Sequence, residues 1–151
     1  MTIRFYRQND PYGYMSNFSS HPVELDGRSW PTTEHYFQAQ KFAGTPHEET
    51  IRRASSPAEA ARRGRDRKLP LREDWESVKD GIMRKAVLAK FTQHLDLKRL
   101  LLETGDDELV EDTTRDHYWG CGTRKNGKNM LGKILMEVRS ALREASRPDE
   151  G

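Results

Sequence analysis

Trp30-Pro31-Thr32-Thr33-Glu34-His35-Tyr36-Phe37-Gln38-Ala39-Gln40-Lys41-Phe42 is the stretch on which the reading of this chain turns. Before it the sequence is extended in character; from Pro31 onward it is helical. Thr32 or Thr33 offers a side-chain oxygen to the free amides of a helix start, and no glycine interrupts until Gly44, so a helix to about Phe42 is predicted. On that helix Glu34, Gln38 and Lys41 stand at i, i+4 and i+7 and share one face. Tyr36, Phe37, Ala39 and Gln40 take the other faces. An acid, an amide and an amine in line beside bulky aromatics suit a cleft that handles a polar substrate. Spacing alone favours a plainer alternative, a solvent-facing stripe with a Glu34–Lys41 contact.

Upstream, Ile3-Arg-Phe-Tyr6 is rich in strand formers, and Val23-Glu-Leu25, Asp26-Gly27, Arg28-Ser-Trp30 carries the Asp-Gly signal of a tight hairpin. Downstream, Thr45-Pro46-His47-Glu48 and Ser56-Pro57-Ala58-Glu59 both read as capping boxes with proline at the first helical position; they open two short helices, the second stopping at Gly64. Asp74 is placed to cap a long helix to about Phe91, with Val78, Ile82, Ala86 and Ala89 as its apolar stripe. Leu95 to Glu103 is a helix closed by Gly105, and Leu109-Val110 a short strand. A last helix from about Asn129 to Ala145 carries Leu131, Ile134, Leu135, Val138 and Leu142 on one stripe. The expectation is an α+β, mainly helical single domain over residues 1–146 with a small antiparallel sheet, and a frayed tail at 147–151.

The chain has 151 residues, 34% hydrophobic and 33% charged, enough for one domain with a real core and a heavily charged surface. No apolar run approaches the roughly 20 residues of a spanning helix. The N-terminus has no apolar signal core, and a single cysteine, Cys121, fits a reducing compartment, so a cytoplasmic protein is expected. The net charge of +2 implies no general grip on nucleic acid. Its distribution is uneven. Residues 52–72 hold eight cations (Arg52, Arg53, Arg62, Arg63, Arg65, Arg67, Lys68, Arg72) against Glu59 and Asp66, whereas residues 103–116 hold seven acids against Arg115. The basic stretch can focus an anionic ligand, although most such charges simply face water.

Common site motifs are absent: no phosphate loop, no dinucleotide fingerprint, and five scattered histidines. Cys121 with His117 gives two metal ligands, too few for a stable site, and Cys121 reads better as a packed thiol than as a nucleophile. No metal or cofactor is therefore expected. Trp75 follows the basic run, and Asp116-His117-Tyr118-Trp119-Gly120-Cys121-Gly122 sets an acid and two aromatics in a glycine-rich loop. Trp75 and Trp119 are equally suited to stacking on a planar ring and to packing in a core. Gly127-Lys128-Asn129-Met130-Leu131-Gly132 opens the last helix, whose free amides offer a weak anion site.

Together these segments resemble the NADAR (YbiA-like) family. The matching stretches are Ser16-Asn17-Phe18, Trp30 to Phe42, Ala61-Arg62-Arg63-Gly64-Arg65-Asp66-Arg67, Trp75-Glu76-Ser77-Val78-Lys79, Asp116-His117-Tyr118-Trp119-Gly120 and Gly127 to Gly132, in the family's order. The resemblance implies an N-glycosidase that hydrolyses the bond between a ribose C1′ and an amine. Its implied substrates are a phosphoribosylated aminopyrimidine of riboflavin synthesis, or ADP-ribose on the exocyclic amine of guanine in nucleic acid. It marks Glu34, Lys41 and Asp116 as catalytic. Asn17, Phe18, Gln38, Arg62, Arg65, Trp75, Tyr118, Trp119 and Asn129 are its substrate-binding positions. Both substrate classes join a sugar phosphate to a planar heterocycle, for which arginines and tryptophans are the matching groups. One departure is Cys121, where relatives often carry an acid; any duty of that acid would fall to Asp116 or be absent.

Two mechanisms fit. A carboxylate, Glu34 or Asp116, activates water while the other assists the leaving amine. Alternatively the glycosylamine opens to an imine and Lys41 attacks C1′, giving a Schiff base that water resolves. The second is preferred, with Glu34 moving protons. A module that binds ADP-ribose or modified nucleic acid without cleaving it is the alternative of a different class. It would have no need of an acid–amine pair.

Overall fold

The computed structural model describes residues 1–146; the expected tail at 147–151 lies outside the described residues. The elements run β1 (Thr2–Phe5), β2 (Val23–Leu25), β3 (Arg28–Trp30), α1 (Thr33–Gln40), α2 (Pro46–Arg52), α3 (Pro57–Gly64), α4 (Trp75–Gln93), α5 (Leu95–Glu103), β4 (Glu108–Glu111) and α6 (Met130–Ala145). The chain divides into two compact units, Asn17–Lys90 and Met1–Ser16 with the chain from Phe91 onward.

In the unit Asn17–Lys90, β2 and β3 form the antiparallel hairpin, Val23 opposite Trp30. Asp26 and Gly27 both take positive φ, 56° and 77°, as a tight primed turn demands. Trp30, Tyr36, Ala39, Phe42, Ile51, Ala60 and Ala86 make the core with Val23. Thr32 caps α1, its hydroxyl accepting from the His35 amide. The helix ends at Gln40, two residues before the expected end, because the amides of Lys41 and Phe42 turn back to the carbonyls of Gln38 and Ala39. The two expected capping boxes are half formed. Thr45 and Ser56 cap their helices, but Glu48 accepts from the Gly44 amide and Gln40, and Glu59 is held by Arg62 and Arg63. The Asp74 carboxylate is held by Arg72. The expected stripe on α4 is also displaced: Met83, Ala86, Val87 and Lys90 are buried, while Val78, Ile82 and Ala89 are half-buried.

In the other unit, β1 pairs with β4 in parallel, Ile3 opposite Leu109, a pairing added to the expected antiparallel hairpin. The two strands lie a hundred residues apart in the chain, so no hairpin imposes an antiparallel sense. α6 packs on β4 and α5, burying Leu131, Ile134, Leu135, Val138 and Leu142 as the periodicity required. Cys121 is a packed thiol, buried against Asp112 and the carbonyls of Thr113 and Gly122.

Candidate active site

α1 is buried on every face although its sequence is polar, so its polar groups need internal partners. Thr33 Oγ1 donates to Asn17 Oδ1 at 2.9 Å, and the Glu34 amide donates to the Asn17 carbonyl at 3.2 Å. His35 bridges Thr32 and the Ala54 carbonyl, and burial lowers its proton affinity. Tyr36 donates its hydroxyl to Asp26, which Lys85 also holds; burial and then Asp26 push the phenol up to about 12. The solvent-facing alternative for the Glu34 stripe is thereby overturned.

Glu34 is 7% exposed and Gln38 3%, and Gln38 Nε2 donates to Glu34 Oε1 at 2.8 Å. Glu34 lies in the first turn of α1, where the helix's positive end favours a carboxylate. Lys41, just past the last turn, is half-buried; its Nζ donates to the Gly64 carbonyl at 3.2 Å and sits 5.8 Å from the Trp75 ring centre. Burial lowers the Lys41 pKa, the Glu34 charge opposes that, and Arg65 and Lys79 reinforce it.

Lys41, with Phe42, Gly64, Arg65, Asp66, Arg67, Leu69, Leu71 and Trp75, lines a cavity of about 480 Å³. The connection after α3 walls it because the Arg72 amide is tied to the Lys41 carbonyl at 3.0 Å. Trp75, 7% exposed, packs on Phe37 with ring centres 5.1 Å apart, so it both belongs to the core and lines the cavity. The expected arginine clamp is split. Arg65 and Arg67 line the Lys41 cavity. Arg62 and Arg63 reach back to Glu59, one helical turn away, and line a second cavity of about 430 Å³ that shares Asp66 and Leu69 with the first.

Asn17 is spent on α1 and on Met83, to whose sulfur its amide donates, and so orients the helix; Phe18 is half-buried. Asp116, Tyr118, Trp119 and Asn129 belong to the other unit. There Asp116 Oδ1 accepts the amides of Tyr118 (2.9 Å) and Trp119 (2.8 Å), whose rings meet edge-on 4.8 Å apart. Asn129 takes φ +52° and spends its side chain on β4, donating to the Leu109 carbonyl and accepting the Glu111 amide. The amides of Gly127 through Leu131 donate to the carbonyls of residues 117–121, so the expected anion site at the start of α6 is overturned: its donors are used.

Sequence reasoning missed Lys79, whose charge acts on Lys41 from one turn into α4, and gave Gly64 no role beyond ending α3. The spacing Trp75–Lys79 was the available signal for the first. For Gly64 there was none, because its neighbour comes from another helix.

A family model described as the NADAR domain matches residues 4–143. The chain is 56% identical over 140 residues to N-glycosidase YbiA of Escherichia coli, covering 93% of this chain and 88% of that one. The NMR structure of the E. coli protein YbiA superposes with a TM-score of 0.88 at 52% identity, over 99% of this chain and 92% of that one. A riboflavin biosynthesis protein of Vibrio vulnificus is 40% identical over 142 residues, 94% of this chain and 39% of that protein.

Proposed function

The chain belongs to the NADAR family and is an N-glycosidase; we propose that it opens the C1′–amine bond of a phosphorylated glycosylamine in the Lys41 cavity. Residues 1–146 are taken as one domain of that family, and a cytoplasmic location as part of the proposal. No helix among the described residues is long and apolar enough to cross a membrane. The observation that carries the reading is the half-buried Lys41 amine in a cavity edged by Arg65, Arg67 and Trp75, with a buried carboxylate acting on it from the same helix.

A glycosylamine in equilibrium with its open imine presents an electrophilic C1′. The neutral Lys41 amine adds to that carbon, the departing amine takes a proton, and a Schiff base joins Nζ to C1′. Water then adds, and Nζ leaves with a proton as the sugar aldehyde is released. Glu34 is the group that carries these protons, held by Gln38 in a site that disfavours charge on Lys41. Arg65 and Arg67 meet the sugar phosphate, and the Trp75 ring meets the heterocycle. The proposal rests on residues of the unit Asn17–Lys90 alone.

A phosphoribosylated aminopyrimidine is the first substrate, in keeping with the name of the Vibrio relative. The second cavity beyond Asp66 and Leu69 favours a longer one, ADP-ribose on guanine, as the other. Incubation with each substrate and measurement of released amine tests both. Failure to release amine from either removes the reading.

A further inference from the structure

A glycine that ends a helix is ordinarily explained by left-handed backbone. That does not apply to Gly64. It is the last residue of α3, and it is not among the residues of positive φ. Its reason is a close approach. A Cβ at position 64 would stand 2.1 Å from Gln38 Oε1 and 2.8 Å from Gln38 Cβ and Cδ. Gln38 Cβ is fixed to the backbone of α1, so the collision cannot be relieved by swinging a flexible end aside.

Gln38 Oε1 is also the one buried side-chain polar atom without a hydrogen-bond partner among the described residues. An orphaned acceptor is costly, and turning the amide over would aim its N–H groups the other way. That rotation would set the amide oxygen against the Glu34 carboxylate, which accepts from Nε2 at 2.8 Å. The orphan is therefore the cost of keeping the amide N–H on Glu34 Oε1. The same glycine accepts the Lys41 ammonium through its carbonyl.

We infer that the contact between Gly64 and Gln38 positions the acid and the amine of this site: the bare Cα of Gly64 admits the amide that orients Glu34, while its carbonyl orients Lys41. Both are positioning residues. The inference rests on the cavity reading above for its kinetics only. The charged residues that act on Lys41, namely Glu34, Arg65 and Lys79, are all retained in the variants that test it.

The experiment is a carbon NMR titration of protein labelled at the glutamate carboxyls, the Glu34 signal being assigned by its loss in Glu34→Gln. The variants are Gly64→Ala, Gln38→Met and the pair together. In each single variant Glu34 loses the amide that stabilises its anion, so it titrates at higher pH than in the parent. The double variant shifts no further than either single, since both remove one interaction. On the aminopyrimidine substrate, kcat of each single variant falls about tenfold or more with KM nearly unchanged, the pattern of lost orientation. An unmoved Glu34 titration in Gly64→Ala, or single shifts that add in the double, overturns the inference. If Gly64→Ala does not fold, Gln38→Met decides it, and an unmoved titration there overturns it. A parent that cleaves no glycosylamine sinks the functional reading and leaves the titration result standing.

Discussion

Lys41 carries the sharpest chemistry in the molecule. Burial disfavours its ammonium form, and Arg65 and Lys79 act in the same sense against the pull of Glu34. The neutral amine is therefore available at lower pH than for a free lysine, and turnover should rise with pH with its midpoint below 10.5. Borohydride added during turnover should leave a sugar adduct on the Lys41 peptide. Lys41→Arg should abolish both adduct and activity, because a guanidinium stays protonated. Activity in Lys41→Arg without an adduct would instead favour water attack assisted by Glu34. Glu34→Gln should keep the fold and lower turnover by about 10²-fold or more, the usual scale for a proton-transfer group. At the cavity rim, Arg65 is exposed and has no ion pair among the described residues. Arg65→Ala should raise KM for a phosphorylated substrate more than for its dephosphorylated form; equal effects would remove it from the phosphate.

At the scale of elements, the start of α6 is a structural joint. Asn129 combines a left-handed backbone with two hydrogen bonds to β4, and Gly132 lets α6 approach the Leu109 carbonyl, where a Cβ would stand 2.1 Å away. Asn129→Ala should cost about 2 kcal/mol or more in urea unfolding, since it strands two polar groups and strains the backbone. Asn129→Gly should cost less, as it keeps the backbone free. If the two cost the same, φ contributes nothing. At the opposite end of the molecule's sequence, the antiparallel hairpin was legible because Asp26-Gly27 is a local turn signal. The parallel β1–β4 pair was not, because its sense depends on how the intervening chain is routed.

For the whole molecule, the group most out of place is Lys90, wholly buried on α4, where desolvation lowers its pKa to about 7. In the unfolded chain it titrates near the ordinary lysine value of 10.5. Between those values the unfolded chain binds a proton that the folded one lacks, so stability should rise as pH goes from about 7 towards 10.5. Lys90→Met should flatten that rise in denaturant melts taken across the range. An unchanged slope would show that Lys90 keeps its proton when folded. The surface carboxylate Glu49 acts in the same sense, in a lower pH window. Arg52 first, and then Arg53, hold Glu49 down to about 2, and this contribution disappears in acid and weakens in salt.

By itself the sequence determined what depends on near neighbours. The hairpin turn, the caps Thr32, Thr45 and Ser56, the α6 stripe and the Glu34–Gln38–Lys41 face all follow from spacings within a few residues. The family segments were legible for the same reason, as contiguous runs. Only the tertiary structure decided which of those residues do what. The α6 amides are consumed by the Asp116 loop, Arg62 turns to Glu59 while Arg65 lines the cavity, and Gly64 is a glycine because of Gln38 on another helix. Burial, desolvation and close approach are set by atoms distant in the chain, and no local spacing encodes them.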